Sequence, residues 1–247
     1  HEPYSLAGYQ KLPRWLRKAA ARLVSALPFD FKGKSFLIRG SKTLEERFIG
    51  NAYMFTQKEK DKLLKTIPAT DPAGKTAAYY NRCQGLDDVT RMQYLDINRW
   101  MVGDILLKAD RMSMAHSLEL RVPFLDKEVF SVASRIPAKH RIAEGTTKYA
   151  MRLAAKRHMP EESTARPKLG FPVPIRIWLR KEEHYRRVRD AFTSPAAKSF
   201  FKADELLKFL DQHYEGKKDN SRKIWTVYMF LVWYGVYFGE QAAEAEG

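Results

Sequence analysis

A nearly uninterrupted helical pattern over residues 87–114 constrains this chain more than any other feature of its sequence. Apolar side chains recur there three and four positions apart, as on one face of an amphipathic helix, and only Gly103 interrupts the pattern. The same spacing returns at residues 16–27 and 224–238, whereas the alternation of apolar and polar residues that marks a strand is almost absent. The sequence therefore predicts a mainly α-helical protein.

Local signals predict where several helices begin and end. Thr43 is a candidate N-cap before Phe48 and Ile49. Thr56 with Glu59 has the spacing of a capping box, in which each residue's side chain bonds the other's backbone N–H. The stretch at residues 72–74 contains a proline and a glycine and is typical of a loop. We therefore expect helices to begin at both threonines and a loop to precede the long helix.

The chain carries a strong positive charge. Its 44 Lys and Arg residues against 29 Asp and Glu residues give a formal charge of +15, and the sequence pI is about 9.8. An anionic partner is therefore expected, which could be ATP, pyrophosphate, nucleic acid or an acidic face of another subunit. A solvated basic surface without such a partner is the alternative interpretation.

Cysteine usage and hydropathy bear on the compartment. A single cysteine, Cys83, excludes an internal disulfide framework and a cysteine-based metal site, and it fits a reducing compartment. The most apolar stretch, residues 224–238, is shorter than the roughly 20 residues that a bilayer span requires. We therefore expect a buried C-terminal helix, no membrane partner and a cytoplasmic location.

Three charged residues form a stripe on the long helix. Asp104, Lys108 and Arg111 lie at positions i, i+4 and i+7, so they are predicted to share one face. The opposite face is predicted to be buried and carries Leu106, Leu107 and Met114. A solvent-exposed stripe with local ion pairs is the alternative interpretation of the charged face.

The segment that follows alternates charged and apolar residues and then turns at Pro123. Glu119 and Arg121 have apolar neighbours on both sides, so they are predicted to be partly buried and paired with each other. Such a pair can be part of the scaffold, or it can orient one side of a ligand pocket.

Residues 107–126 read L-K-A-D-R-M-S-M-A, then H, then S-L-E-L-R-V-P-F-L-D, and this run resembles a motif of the glutamine-hydrolysing asparagine synthetases. Downstream, Lys148 and Arg152 are similar to the ends of the family's K-x-x-L/M-R helix. Residues 166–174, R-P-K-L-G-F-P-V-P, are similar to its R-x-K-x-G-F-x-x-P loop. The likeness is strongest over residues 94–179.

The resemblance implies the activity of an asparagine synthase, a carbon–nitrogen ligase. In this family a glutaminase domain releases ammonia from glutamine by means of an N-terminal cysteine. A synthetase domain uses ATP with Mg to convert aspartate to β-aspartyl-AMP, and ammonia then displaces AMP to form asparagine. ATP, aspartate and glutamine-derived ammonia are therefore the expected substrates of the whole protein.

The resemblance also implies the site residues. Lys168 matches the family's loop lysine, whose positive charge stabilises the departing pyrophosphate, and its loop is expected to close over bound nucleotide. Thr146 and Thr147 are predicted to cap a basic helix that carries Lys148. The other candidates are predicted to line the ATP, pyrophosphate or substrate pocket, or alternatively to support its wall, and no metal ligand is predicted among them: Lys108, Asp110, Arg111, Glu119, Arg121, Lys148 and Arg166.

Three parts of the family pattern are missing from the sequence. The first residue is His1 instead of cysteine, no Ser-Gly-Gly-x-Asp-Ser phosphate loop occurs, and only residues 6–9 resemble the end of the family's acidic glycine-rich stretch. We therefore expect residues 1–247 to form a single helical domain, the C-terminal portion of an adenine-nucleotide α-hydrolase-like (PP-loop) synthetase domain cut from its N-terminal region. Most of the parallel sheet is then missing. This piece is expected to be inactive alone and to self-associate through exposed apolar patches.

Other functions remain open at this point. A related amidotransferase or a β-lactam synthetase-like ligase would use the same fold on another carboxylate. A stand-alone regulatory or scaffold protein descended from a synthetase is a further alternative. A non-enzymatic basic helical module that binds nucleic acid is the least favoured, because no helix-turn-helix, zinc or stacking-sheet signature accompanies the positive charge.

Overall fold

The computed structural model of the protein describes residues 2–27, 29, 31–50, 54–67, 72–167, 170 and 173–239. The chain divides into two compact units, residues 1–52 with 70–168, and residues 53–69 with 169–247. Both units are helical over the described residues, apart from one small two-stranded sheet in the first, which confirms the predicted helical class. The expectation of one helical domain stays a prediction.

The first unit consists of short helices and a hairpin. Numbered along the whole chain, its elements are α1 (Glu2–Gln10), α2 (Arg14–Ala26), α3 (Lys34–Gly40), α4 (Leu44–Arg47), α6 (Pro72–Arg82), α7 (Asp88–Asp96), a π-helix (Ile97–Leu106), α8 (Leu107–Met114), a 3₁₀ turn (Pro123–Leu125), α9 (Lys127–Ser134), α10 (Ala138–Arg141), β1 (Ile142–Ala143), β2 (Thr146–Thr147), α11 (Tyr149–Ala155) and α12 (Glu161–Ala165).

The long helix predicted over residues 87–114 is confirmed, but its middle part is π-helical. Gly103 lies within the π-helix and does not break it. Because i→i+5 bonding changes the number of residues per turn, the face that α7 buries through Val89 and Leu95 does not continue along the helix. The π-helix and α8 accordingly bury no described residue.

The prediction of a buried face along this part of the helix is therefore wrong. Leu107 is 44% exposed and Met114 is 56% exposed, while Leu106 is half-buried. The apolar pattern is present, but nothing in the described part of the chain packs over it.

Two local predictions are also wrong. Residues 72–74 begin helix α6, because proline is tolerated in the first turn of a helix and because Thr76 and Tyr80 bury one face further along. Thr146 and Thr147 form strand β2 and pair with Ala143 and Ile142. The hairpin went unpredicted because two-residue strands are too short to show an alternating pattern.

The second unit has a continuous hydrophobic core. Its helices are α5 (Gln57–Leu63), α13 (Ile175–Trp178), α14 (Glu182–Thr193), α15 (Pro195–Phe200), α16 (Ala203–Tyr214) and α17 (Ser221–Phe238). The capping box predicted at Thr56 and Glu59 is present at the start of α5, and Thr43, the predicted N-cap of α4, also forms a capping box with Glu46. The core side chains include Phe192, Leu206, Leu210 and Ile224, which are all buried.

Helix α17 is the C-terminal helix that the sequence predicts to be buried, and the prediction holds for one face. Ile224, Val227 and Leu231 are buried, whereas Trp233 and Val236 are exposed. Within the described residues, no helix combines the length and the apolar composition needed to cross a membrane.

Candidate functional site

The charged stripe lies on the surface of the first unit. Lys108 Nζ lies 3.7 Å from Asp104 Oδ1, and the two side chains are 62% and 52% exposed. The Trp100 indole N–H donates to the same carboxylate at 2.9 Å. The predicted shared face is thus confirmed for Asp104 and Lys108, in the exposed form that was the alternative interpretation. Exposed pairs of this kind contribute little stability.

Asp110 and Arg111 follow on α8 and are exposed. Neither side chain has a hydrogen-bond or ion-pair partner within the described ranges. The Arg111 guanidinium is therefore available to an external anion.

Helix α8 ends with a residue in the left-handed conformation. Ser117 has φ 54°, and the amide of Leu118 donates to the carbonyl of Ser113 at 3.0 Å. A left-handed residue after the last turn closes the final helical carbonyls, and here serine takes the place that glycine usually fills. This turn directs the chain from the helix into the Glu119–Arg121 segment.

Glu119 and Arg121 are paired as predicted, because the Arg121 guanidinium donates to the Glu119 carboxylate. The prediction of partial burial is wrong, since the two side chains are 71% and 81% exposed. Their apolar neighbours Leu118, Leu120 and Val122 are exposed as well. Among the described residues nothing packs over the pair, which therefore lies in solvent.

We call residues 112–132 the motif segment. Most of its large apolar side chains are exposed: Met112, Met114, Leu118, Leu120, Val122, Phe124, Leu125, Val129, Phe130 and Val132. Soluble monomers rarely expose so many contiguous apolar residues, and such surfaces usually mark an interaction site.

Lys148 starts helix α11 in a left-handed conformation with φ 59°, directly after the hairpin. The hairpin turn itself has positive φ at Glu144 and Gly145, as a two-residue turn between right-twisted strands requires. The Lys148 side chain is exposed and has no carboxylate partner in the part of the chain that the structure describes. It too can meet an external anion.

Arg152 connects α11 to the segment that contains Arg166. Its Nη1 donates to the carbonyl of Thr164 at 2.6 Å and to the carbonyl of Arg166 at 3.0 Å. The Arg166 backbone is thereby held, while its side chain is exposed. The family-like helix motif contains Arg152, but sequence reasoning assigned it no function because the partner carbonyls are visible only in the folded chain.

Lys168, the predicted catalytic residue, lies outside the described residues, as do Leu169, Phe171 and Pro172. Its role stays a prediction.

An ion-pair network joins helices of the first unit. Arg91 pairs with Glu45 and with Asp88, and Asp88 also binds Arg47. Burial acts to raise the pKa of Glu45, but hydrogen bonds from its backbone amide and from Arg91 outweigh burial and hold the pKa below its ordinary value of 4.5. The network links α4 with α7, the first part of the long helix.

Asp96 is a half-buried carboxylate that sequence reasoning did not single out. It lies where α7 passes into the π-helix, and its Oδ1 is buried without a hydrogen-bond partner among the described residues. Burial raises the pKa of Asp96. No sequence pattern marks it, because the burial results from tertiary packing.

A cavity of about 260 Å³ opens elsewhere on the first unit and is lined by Gln10, Arg14, Arg17, Ser41, Lys42, Thr43 and Arg47. None of the sequence-predicted candidates lines it. Two of its cations are already paired, Arg14 with Glu46 and Arg47 with Asp88, each at 3.3 Å. The Arg17 guanidinium donates to backbone carbonyls, so these groups serve mainly to join α2, α3 and α4.

A complete metal site is not found within the described ranges, because no group of three or more His, Cys, Asp or Glu side chains could hold an ion.

Comparison with known proteins identifies the family. The sequence model of the family described as asparagine synthase matches residues 6–235. Asparagine synthetase [glutamine-hydrolyzing] 1 of Bacillus subtilis (strain 168) is 45% identical over 236 residues, which cover 95% of this chain and 37% of the Bacillus protein. The asparagine synthetase [glutamine-hydrolyzing] of Homo sapiens is 32% identical over 136 residues, 49% of this chain and 24% of the human protein.

The chain thus spans little more than a third of the length of the Bacillus relative. No solved structure matches it. The matched region contains residues 107–126, Lys148, Arg152 and residues 166–174, which carry the resemblance. The chain belongs to the asparagine synthase family.

Proposed function

We propose that this chain is part of an ATP-dependent ligase that forms asparagine from aspartate and glutamine-derived ammonia. One observation carries the proposal: the family match extends over residues 6–235 and includes every candidate site residue named from the sequence. The 45% identity to the Bacillus enzyme over 95% of this chain supports the same assignment. The activity is proposed for the full-length protein and not for residues 1–247 alone.

The proposed reaction proceeds in two steps. An oxygen of the aspartate side-chain carboxylate attacks the α-phosphorus of ATP, and pyrophosphate leaves as β-aspartyl-AMP forms. Ammonia then attacks the activated carbonyl carbon, loses a proton and displaces AMP. Negative charge develops on pyrophosphate in the first step, so fixed cations near it stabilise the transition state.

Lys168 is proposed as the catalytic cation of the first step. Lys108, Arg111, Arg121, Lys148 and Arg166 are proposed to line the anionic part of the pocket, with Asp110 and Glu119 orienting them or the substrate. Three of these cations, Arg111, Lys148 and Arg166, are exposed and have no carboxylate partner within the described residues. Their availability to an anionic ligand supports this assignment.

The remainder of the longer protein is proposed to complete the site. The exposed motif segment supports this proposal, because its apolar side chains need a partner surface to leave water. The ATP phosphate loop, the ligands for Mg²⁺ and the parallel sheet of the PP-loop fold would come from that remainder. Residues 1–247 alone are then inactive, and their uncovered motif segment favours self-association.

The test measures aspartate-dependent pyrophosphate release by the full-length protein. Lys168→Ala is expected to lower this rate at least ~100-fold, the size of effect seen when one transition-state donor is removed. Release of ammonia from glutamine should be unchanged. The matched control is Lys156→Ala, since Lys156 is exposed just after α11 and should leave the rate within about twofold of wild type.

Two results would overturn the proposal. Wild-type pyrophosphate release by Lys168→Ala would remove the assigned catalytic role. Pyrophosphate release that requires another carboxylate instead of aspartate would replace asparagine formation by the reaction of a related amidotransferase or of a β-lactam synthetase-like ligase.

A further inference from the structure

The cavity of about 260 Å³ on the first unit is lined by polar and charged side chains. Four of its seven lining residues are cationic: Arg14, Arg17, Lys42 and Arg47. The other three carry an amide or a hydroxyl group, and none of the described lining residues is acidic or apolar. Such walls offer positive charge and hydrogen-bond donors, which are the groups that bind an anion.

The positive charges at this cavity are only partly balanced. Carboxylates lie 3.3 Å from Arg14 and 3.3 Å from Arg47 and compensate these two guanidinium groups. The printed partners of Arg17 are backbone carbonyls, which carry no net charge. Lys42 is half-buried, and its ammonium has no hydrogen-bond or ion-pair partner among the described residues. Arg17 and Lys42 therefore contribute two positive charges without a carboxylate in the described part of the chain.

The Arg17 side chain is held in place within the cavity wall. Its Nε donates to the Leu12 carbonyl at 3.0 Å, and its Nη1 donates to the Gly40 carbonyl at 2.5 Å. A Cβ at Gly40 would lie 2.4 Å from the Tyr9 ring, so the missing side chain allows α1 to approach α3. The remaining nitrogen, Nη2, has no partner within the described ranges and is a donor in a fixed position. Binding to a donor that is already ordered costs little conformational entropy.

A phosphate group matches the charge and the directions of these donors. It carries about −1.5 to −2 charges at neutral pH and three acceptor oxygens that point in different directions. The donors likewise come from different elements, the end of α1, the first turns of α2 and the turn between α3 and α4. A carboxylate is planar and has two oxygens, so it can meet fewer of them. The volume is several times the roughly 30 Å³ that one water molecule occupies, and it can hold a phosphate group.

We propose that this cavity binds a phosphate group, either as inorganic phosphate or as the phosphate of a small monoester. Lys42 and Arg17 supply the positive charge, and the Gln10 amide supplies a neutral donor. The site goes beyond the proposed function, and its test measures binding and not turnover. A failure of the ligase assignment would therefore leave it unaffected.

The test measures the binding of inorganic phosphate to the full-length protein by equilibrium dialysis at constant ionic strength. Wild type is expected to bind phosphate saturably with a Kd of ~1 mM or tighter. Lys42→Gln removes the charge and should weaken one binding event per chain at least ~10-fold, the loss expected for a charge-assisted hydrogen bond. Lys42→Arg keeps the charge and should bind within about threefold of wild type.

A matched control and a second variant accompany Lys42→Gln. Lys18 is exposed on α2 and does not line the cavity, so Lys18→Gln should leave phosphate binding within about twofold of wild type. Gln10→Leu removes the amide donor and should weaken binding ~2–10-fold. This variant decides the question if Lys42→Gln does not fold.

Competition by AMP distinguishes the two sources of the phosphate group. Displacement of the Lys42-dependent phosphate by AMP would assign a phosphate monoester as a ligand, and its absence would assign inorganic phosphate.

Three results would overturn the proposal. The first is the absence of saturable binding by wild type up to about 10 mM phosphate. The second is a folded Lys42→Gln variant that binds phosphate as tightly as wild type, or as tightly as Lys18→Gln does. The third is equal competition by malonate, a dicarboxylate of similar charge, which would show that the cavity does not recognise a phosphate group.

Discussion

The core of the second unit and the motif segment of the first unit place the same kinds of residue in opposite environments. Phe192 and Leu210 are fully buried in the second unit. Phe124 and Leu118 of the motif segment are 67% and 61% exposed. The second unit thus buries its apolar residues by itself, whereas the motif segment leaves them exposed.

This difference shows that an apolar pattern and its burial are separate properties. In the second unit, the apolar side chains pack against other side chains of the same unit. In the motif segment, which overlaps the family motif over residues 112–126, the apolar pattern is present without such packing among the described residues.

The largest effect is expected from Phe192→Ala. This substitution leaves a cavity in a packed core and should lower the free energy of unfolding by about 3–5 kcal/mol. The matched substitution Phe124→Ala should change it by less than about 0.5 kcal/mol, because the side chain is already largely in water. Denaturant titration followed by circular dichroism measures both. Equal losses for the two variants would contradict the contrast.

A smaller loss is expected at a buried polar residue of the second unit. His213 is completely buried, its Nε2 lies 3.0 Å from the Arg176 carbonyl, and its Nδ1 accepts from the backbone N–H of Asn220. Since Nδ1 is the acceptor, the proton belongs on Nε2, which donates to Arg176. His213→Leu leaves both backbone groups unsatisfied and should cost about 2–3 kcal/mol.

Exposed His158 provides the control for this prediction, since His158→Leu should leave the free energy of unfolding within about 0.5 kcal/mol of wild type. Thermal or denaturant unfolding distinguishes the two. A stable His213→Leu variant would mean that the buried polar contacts of the second unit contribute no more than a surface histidine does.

The smallest effect is expected at the Glu59–Lys223 ion pair, whose side chains are 22% exposed. Burial acts to raise the pKa of Glu59, but the hydrogen bond from Lys223 and that from the Thr56 amide outweigh it and hold the pKa below 4.5. A lowered folded-state pKa contributes stability that is present above pH 4.5 and is lost as pH falls through the folded-state value.

Glu59→Gln keeps the capping box but removes the charge. It should lower stability by about 1 kcal/mol at neutral pH and flatten the loss of stability below the ordinary glutamate pKa. Glu183→Gln, at an exposed pair with Arg187, is the control and should leave the pH profile unchanged. If the free energy of unfolding falls equally at low pH in Glu59→Gln and in wild type, the ionised Glu59 carboxylate does not contribute to stability as predicted.

The helices could be predicted largely from local sequence. The cap at Thr43, the capping box at Thr56 and the periodicity of residues 16–27 and 224–238 depend on neighbours in the chain, so the structure agrees with them. Helix α15 was missed because it is a single short helix whose signals, Ser194 as cap and Pro195 in the first turn, also occur in turns.

The sequence predicted which residues belong to the candidate site, but not their exposure or their contacts. The family motif identified Lys108, Glu119 and Arg121, but their exposure depends on what packs over them, which no local pattern encodes. Arg152 donates to carbonyls more than ten residues away in the chain, a contact that no local pattern predicts. Tertiary contacts therefore decide the part of the site that the motif leaves open.

The central claim is that the motif segment forms one wall of a ligase site that the rest of the protein completes. The most direct measurement compares aspartate-dependent pyrophosphate release by the full-length protein with that by residues 1–247 alone. The account predicts release by the full-length protein and none above background by residues 1–247. Release at comparable rates by both, or by neither with any carboxylate, would contradict it.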